Sequence, residues 1–251
     1  MSFRRDSLFE GASACALAVF FCVLFSFSHA AQAQRLSTNV IPSHYALAFT
    51  PNLKSATFTG SETIDVAIKE PASAITLNAI EIQFQFVTIH DSEGRTQFGS
   101  VVLDADKQQA TFAFPKTIPA GNATLNIQFT GILNNELRGF YLSKTAKRNY
   151  AVTQFEATDA RRAFPCFDEP AFKATYDISL TIDAADTAIS NSAVVSDTPG
   201  PGAGKHTVVF GTTPKMSTYL VAFLVGDFQC TSGESDGVAV RVCATPAEVE
   251  L

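Results

Sequence analysis

Histidine is scarce in this sequence, four in 251 residues. No two of the four have the H-x-x-x-H spacing of a zinc-binding helix, and none sits beside a cysteine. His44, His90 and His206 each stand alone on an expected strand or strand edge and read as surface histidines. The five cysteines include no C-x-x-C, so a thiolate zinc site is not indicated. There is no G-x-S-x-G elbow and no glycine-rich phosphate loop, which makes a self-contained hydrolase hard to build from this chain. Blocks of five or six like charges are also lacking. The formal charge is −6, which argues against nucleic acid or an anionic membrane surface as a partner.

No apolar run reaches the ~20 residues of a comfortable membrane span. The nearest is Ala14 to Phe27, with one Ser, preceded by Arg4 and Arg5 and followed by Ala31-Gln32-Ala33. A positive start, a short apolar stretch and a small-x-small site together read as a secretory signal peptide over residues 1–33, cut after Ala33. An uncleaved anchor is the alternative. The Phe- and Leu-rich run suits general secretion better than the twin-arginine route. The expected product is exported, periplasmic or secreted, with no membrane association after cleavage.

The whole chain is 46% hydrophobic and 17% charged, and the part past the leader is rich enough in apolar residues to bury a core. Its periodicity is that of an all-β protein. Alternating or apolar stretches run from Tyr45 to Thr50, Phe58 to Ile68, Ile75 to Asn78, Ile82 to His90, Val101 to Asp104, Gln109 to Phe114 and Ala123 to Leu133. Later ones run from Tyr150 to Phe155, Ala174 to Ile182, Ala188 to Val195, His206 to Thr212, Thr218 to Val225 and Val238 to Cys243. Turn signals recur at about 8–12 residues, the spacing of sandwiches and barrels. One short helix is expected at Thr158 to Ala163, and Ser196 to Gly204 reads as a loop. Together these give one domain over 34–246, a large antiparallel β-sandwich.

Past the leader, three cysteines remain. Centring the turn of Thr231 to Gly237 between Glu234 and Ser235 offsets Cys230 from Cys243 by four positions, or ~13 Å along a strand. That is too far for a bond, so Cys166, Cys230 and Cys243 all read as buried thiols, with a 230–243 bridge as the alternative.

Residues 153–173 stand apart, with seven charges and four Phe in 21 positions. Burying them is costly unless the charges are paired. A salt-bridged connection, Arg161 and Arg162 with Asp159, Asp168 and Glu169, is one account; a ligand site is the other.

The stretches Pro42-Ser43-His44-Tyr45-Ala46-Leu47, Phe58-Thr59-Gly60 and Leu137-Arg138-Gly139-Phe140-Tyr141 now carry weight together. With the block Thr153 to Tyr176, Ser190-Asn191, Thr213 to Leu220 and Val240 to Pro246, the sequence resembles the aminopeptidase N-like zinc metallopeptidases of the gluzincin class. The resemblance implies a saddle-like N-terminal β-sandwich domain. It also implies that the catalytic domain, with its G-x-M-E-N and H-E-x-x-H motifs and its zinc, follows a strand like the one ending at Ala244-Thr245-Pro246. On that footing 247–251 is the start of a catalytic domain absent from this chain, and no residue here is catalytic or a metal ligand.

Gln154 and Glu156 fall on the family's Gln-x-Glu motif, which implies substrate binding. Glu156 would accept the free α-amino group of a peptide, an ammonium with three donors that needs anionic acceptors. Gln154 would meet the substrate's first residue. The implied partners are peptides with a free N-terminus and the catalytic domain of the same or an adjacent polypeptide. Two departures stand out: Ala157 replaces the Pro common after the Glu, and Cys243 stands where an aromatic is common. The resemblance further implies a cis bond after Glu156 in the complete enzyme, less readily in this chain by itself. A free-standing, non-catalytic β-sandwich binding module is the alternative reading.

Overall fold

The computed structural model describes residues 35–246. The expected signal peptide and the expected start of a catalytic domain at 247–251 lie outside the described residues, as do Cys15 and Cys22.

Strands make up nearly all the regular structure. In chain order they begin with β1 (Val40–Asn52), β2 (Thr57–Ile68), β3 (Ala72–Asn78), β4 (Ile82–His90), β5 (Thr96–Phe98) and β6 (Ser100–Asp104). Next come β7 (Gln109–Ile118), β8 (Gly121–Ile132), β9 (Gly139–Lys144), β10 (Asn149–Gln154), β11 (Lys173–Asp183) and β12 (Thr187–Ser190). The last are β13 (Val194–Pro199), β14 (Lys205–Phe210), β15 (Met216–Ser217), β16 (Phe223–Gly226), β17 (Gln229–Ser235) and β18 (Val238–Ala244). Two short 3-10 turns, Ala160–Arg162 and Thr218–Leu220, interrupt them. The first is what remains of the expected helix at Thr158 to Ala163. Among the described residues, no helix is long and apolar enough to cross a membrane.

A nine-stranded sheet runs β13-β14-β11-β1-β2-β8-β4-β5, with β15 added on β11. It is mixed, which corrects the expected antiparallel sheet. β1 and β11 are parallel, with His44 opposite Thr175 and Phe49 opposite Leu180. A parallel pair needs a long crossover, and here the crossover holds the whole β3-β7-β6 sheet and the β9 and β10 strands of the β12-β16-β10-β9 sheet. Alternation supplies the inner face of the large sheet, with Tyr45, Leu47 and Phe49 of β1 and Tyr176, Ile178 and Leu180 of β11 all buried. Phe49 is the hub. Its ring meets Phe58 and Phe129 of its own sheet, Phe140 and Phe223 of the four-stranded sheet, and Phe164 beyond β10. Register is pinned where Phe58 lies opposite Gly131 and Phe129 opposite Gly60. A Cβ at either glycine would stand within 2.4 Å of the facing ring, so each ring covers a glycine and only this register fits.

The sequence reading departs from the structure in several places. The expected loop Ser196 to Gly204 is a strand as far as Pro199. Its backbone pairs with β14 along an outer edge, where a terminal Pro is tolerated. The expected strand Ala188 to Val195 is broken into β12 and β13. The start of Thr218 to Val225 is a 3-10 turn. The strands β5, β9, β15 and β17 were not expected.

The cysteine reading is also corrected. Cys230 lies directly opposite Cys243 in the β17–β18 hairpin, and the two form a disulfide with Cα atoms 4.0 Å apart. The turn centres on Asp236-Gly237, at φ 52° and 78°. Two positive φ values in succession make the tight hairpin turn that Asp-Gly favours. Cys166 is a buried free thiol, as expected.

Candidate functional site

β10 carries the first candidate residue at its end. It pairs antiparallel with β9, Gln154 opposite Gly139, and with β16 on its other side. Thr153 clips that second edge: its Oγ donates to the Phe223 carbonyl (3.2 Å) and accepts the Phe223 N–H (3.0 Å). Phe155 then points inward, buried against Phe164 and Phe223. Gln154 and Glu156, on either side of it, are therefore both turned outward and exposed. The Gln154 Oε1 accepts the Glu156 N–H at 3.0 Å, fixing the two side by side. No hydrogen bond or ion pair among the described residues engages the Glu156 carboxylate. The Glu156–Ala157 peptide bond is cis, the isomer the resemblance implies for the complete enzyme.

Behind Glu156 the chain turns back at once. The Asp159 N–H donates to the Phe155 carbonyl (2.9 Å) and the Arg162 N–H to the Asp159 carbonyl (3.1 Å). The Asp159 side chain does not cap the 3-10 turn; its Oδ1 accepts from Arg162 Nε at 2.7 Å. Arg162, itself buried, reaches Glu81 with its other arm. Burial opposes its charge, but the two carboxylates outweigh that and raise its pKa. It lies flat on Gly139, where a Cβ would stand 2.7 Å from the Arg162 Cβ and where φ is +68°. A closed ring of contacts results: Gln154 faces Gly139, Gly139 backs Arg162, and Arg162 holds the turn that presents Glu156.

Arg161 works in the opposite direction, into the core. Its Nε donates to Asp168 Oδ2 at 2.9 Å, and an Nη reaches Gln108 at 3.3 Å. Asp168 is buried and fully answered: Thr218 donates to its Oδ1 at 2.7 Å, and its own N–H donates to Asn78 Oδ1 at 3.2 Å. Cys166 and Asn78 exchange a pair of backbone bonds, and the Phe167 N–H donates to the Tyr45 hydroxyl at 3.2 Å.

The salt-bridged account of residues 153–173 is thus right for Asp159 and Asp168, while Glu169 has a further contact of its own. That side chain turns to the start of the domain and accepts the Leu36 N–H at 2.6 Å. Glu81 was missed, because nothing local in the sequence links it to a residue 81 positions on. The charges that pair are those behind the turn, and the carboxylate left over, Glu156, is the one facing solvent.

The three described histidines sit on separate strands: His44 beside Thr175 and Asp177, His90 beside Thr96, His206 paired with Asp197. Among the described residues, no group of three or more His, Cys, Asp or Glu is placed to hold a metal ion. A cavity of about 660 Å³ lies away from Gln154 and Glu156, on the outer face of the large sheet between Ala46, Ser61, Asn126 and Asp177.

Comparison with known proteins bears on this arrangement. The family model described as Peptidase M1 N-terminal domain matches residues 41–220. Aminopeptidase 2, mitochondrial, of Saccharomyces cerevisiae is 42% identical over 221 residues, covering 84% of this chain and 23% of that protein. The puromycin-sensitive aminopeptidase of Caenorhabditis elegans is 39% identical over 230 residues, 89% of this chain and 24% of that one. Aminopeptidase N of Acetobacter pasteurianus is 35% identical over 227 residues, 88% and 62% respectively. The chain therefore spans about a quarter of the first two relatives, between 23% and 24% of their length.

Proposed function

This chain belongs to the family of peptidase M1 N-terminal domains, and from that premise we propose that it is the amine-anchoring domain of an exported aminopeptidase, an enzyme that removes residues from the free N-terminus of peptides. The observation that carries the reading is the pair at the end of β10, where Gln154 orients the Glu156 backbone and the Glu156 carboxylate stands outward without a partner. An anionic acceptor held on a rigid strand end is what an α-ammonium group needs, since each charge-assisted bond is short and directional. Polypeptide chains with a blocked amine lack the charge and lose that contact, which restricts the site to free N-termini.

Zinc, implied by the resemblance, does not fit the described residues of this chain, because its histidines are separated and no metal-holding cluster forms. The metal and the bond-breaking step then belong to the portion of the relatives that this chain does not span. The role of the present residues is to bind and orient. Export is supported by the signal-like start of the sequence and by the Cys230–Cys243 disulfide, a bond that persists in oxidising compartments.

The test joins this chain to the remaining portion of a relative such as the Acetobacter enzyme and measures release from aminoacyl anilides. Glu156→Ala should raise KM for free-amine substrates by the equivalent of about 1.5–3 kcal/mol, while binding of an N-acetylated ligand changes little. Equal weakening of both ligands would assign Glu156 a structural part only. The chain by itself should release nothing and carry no stoichiometric zinc.

A further inference from the structure

Glu62 lies midway along β2, and alternation turns it to the same side as Phe58, Ile64 and Val66, into the core. It is 3% exposed, and neither carboxyl oxygen has a hydrogen-bond partner. Its cross-strand neighbours are Leu47 on β1 and Ile127 on β8, both buried and apolar. The backbone offers no relief, because β2 is paired on both edges. Titratable groups that feel its charge are Tyr45 of β1, Tyr176 of β11 and Cys166 of the segment after the 3-10 turn. All three are buried acids, so none supplies a counter-charge. The Tyr176 hydroxyl is itself buried and unpartnered. Arg161, the cation that acts on Cys166, is occupied by Asp168.

A carboxylate in such surroundings is far more costly than the neutral acid. We propose that Glu62 is a proton-operated weak point in the core: the folded domain keeps it protonated, unfolding lets it ionise, and the domain is therefore firmest in mild acid and loosens as the pH rises. The location matters for the candidate site. Tyr45 holds the Phe167 N–H and meets Phe164, whose ring in turn meets Phe155, the residue before Glu156.

Burial raises the Glu62 pKa well above the ordinary carboxylate range. Below that range both states carry the proton and Glu62 contributes nothing to pH dependence. Above it the unfolded chain releases the proton and the folded chain does not. Unfolding is then favoured by up to about tenfold per pH unit until the raised value is passed. Asp91, Asp104, Glu136 and Asp227 are shifted downward, so their loss of stability comes only as pH falls through the acid range. Asp186, raised by burial, has the same sign as Glu62, so a variant comparison is needed to isolate Glu62.

The experiment is urea unfolding of the full chain and of Glu62→Gln between about pH 5 and pH 8. Gln keeps the shape and cannot ionise. The ratio of the two unfolding constants should grow with pH, by up to about tenfold per unit; curves that stay parallel overturn the proposal. If Glu62→Gln does not fold, infrared spectroscopy at neutral pH decides on Asp186→Asn, which lacks the other carboxyl that burial raises. A carbonyl stretch of a protonated carboxylic acid that vanishes on unfolding supports the proposal, and its absence from the folded chain overturns it.

Discussion

Asp168 and Glu62 are carboxyl groups buried to the same degree, 2% and 3% exposed, yet one is surrounded by donors and the other by none. Asp168 sits in an irregular connection, where the backbone is free to bend around a charge. Arg161 and Thr218 donate to its carboxylate and Asn78 accepts its backbone N–H, so three separate parts of the chain converge on it. Glu62 sits on a central strand whose backbone groups are spent in two ladders and whose inward neighbours are set by alternation. A strand interior gives a polar side chain no means of recruiting partners; a connection does. The proposed amine-binding pair follows the same logic. Gln154 and Glu156 stand where β10 stops, so the turn behind them is free to be fixed by Arg162.

If that contrast is right, breaking the Asp168 network should be the most damaging change. Arg161→Ala removes the cation and leaves a buried carboxylate. The expected loss is about 3–5 kcal/mol, read as a lower urea midpoint with an unchanged slope. A loss below about 1 kcal/mol would class the pair with exposed salt bridges and dissolve the contrast.

Thr218→Val should follow, at about 1.5–3 kcal/mol. It keeps the shape of the buried Thr218 and deletes only the hydroxyl that donates to Asp168 Oδ1. Because both changes act on one carboxylate, the double variant should fall short of the sum, and a double-mutant cycle measures by how much. Strict additivity would mean that Asp168 is not a shared hub.

Much of this was legible in the sequence, for reasons that differ by region. Alternation marked β2, β4 and β11 almost to the residue, because a half-buried strand writes its face into every second position. It also held the placement of Glu62, which falls on the same parity as Phe58, Ile64 and Val66. β17 was illegible because Thr231-Ser232-Gly233-Glu234-Ser235 is polar on both faces, and the strand is exposed throughout. Its register was nevertheless encoded in Asp236-Gly237, and placing the turn two residues earlier cost the disulfide. At the site, the residue types of 153–173 announced a paired network and the motif marked Gln154 and Glu156. The ties to Glu81 and Gly139 depend on how distant strands assemble, which no local pattern records.

Glu62→Leu should have the opposite sign from Arg161→Ala. Replacing an unpartnered carboxyl by an apolar side chain removes a penalty of about 1–3 kcal/mol, so the midpoint at neutral pH should rise. A fall would mean that Glu62 is stabilised by something other than its apolar surroundings, and the two carboxyls would no longer be opposites.

The finest version of the contrast lies in two tyrosines. Tyr45 and Tyr176 are both buried and stack with ring centroids 5.0 Å apart. Burial raises both hydroxyl pKa values well above the ordinary range, so both stay neutral. They differ in a single bond: the Tyr45 oxygen accepts the Phe167 N–H, while the Tyr176 hydroxyl has no partner. Tyr45→Phe strands a buried backbone donor and should cost about 1 kcal/mol. Tyr176→Phe removes a polar group that gains nothing from its surroundings and should be neutral or slightly stabilising. Thermal unfolding of the two variants side by side reads the difference, since shape and aromatic contact are the same in both. Equal losses would show that the ring edge, not the hydrogen bond, decides what these hydroxyls contribute.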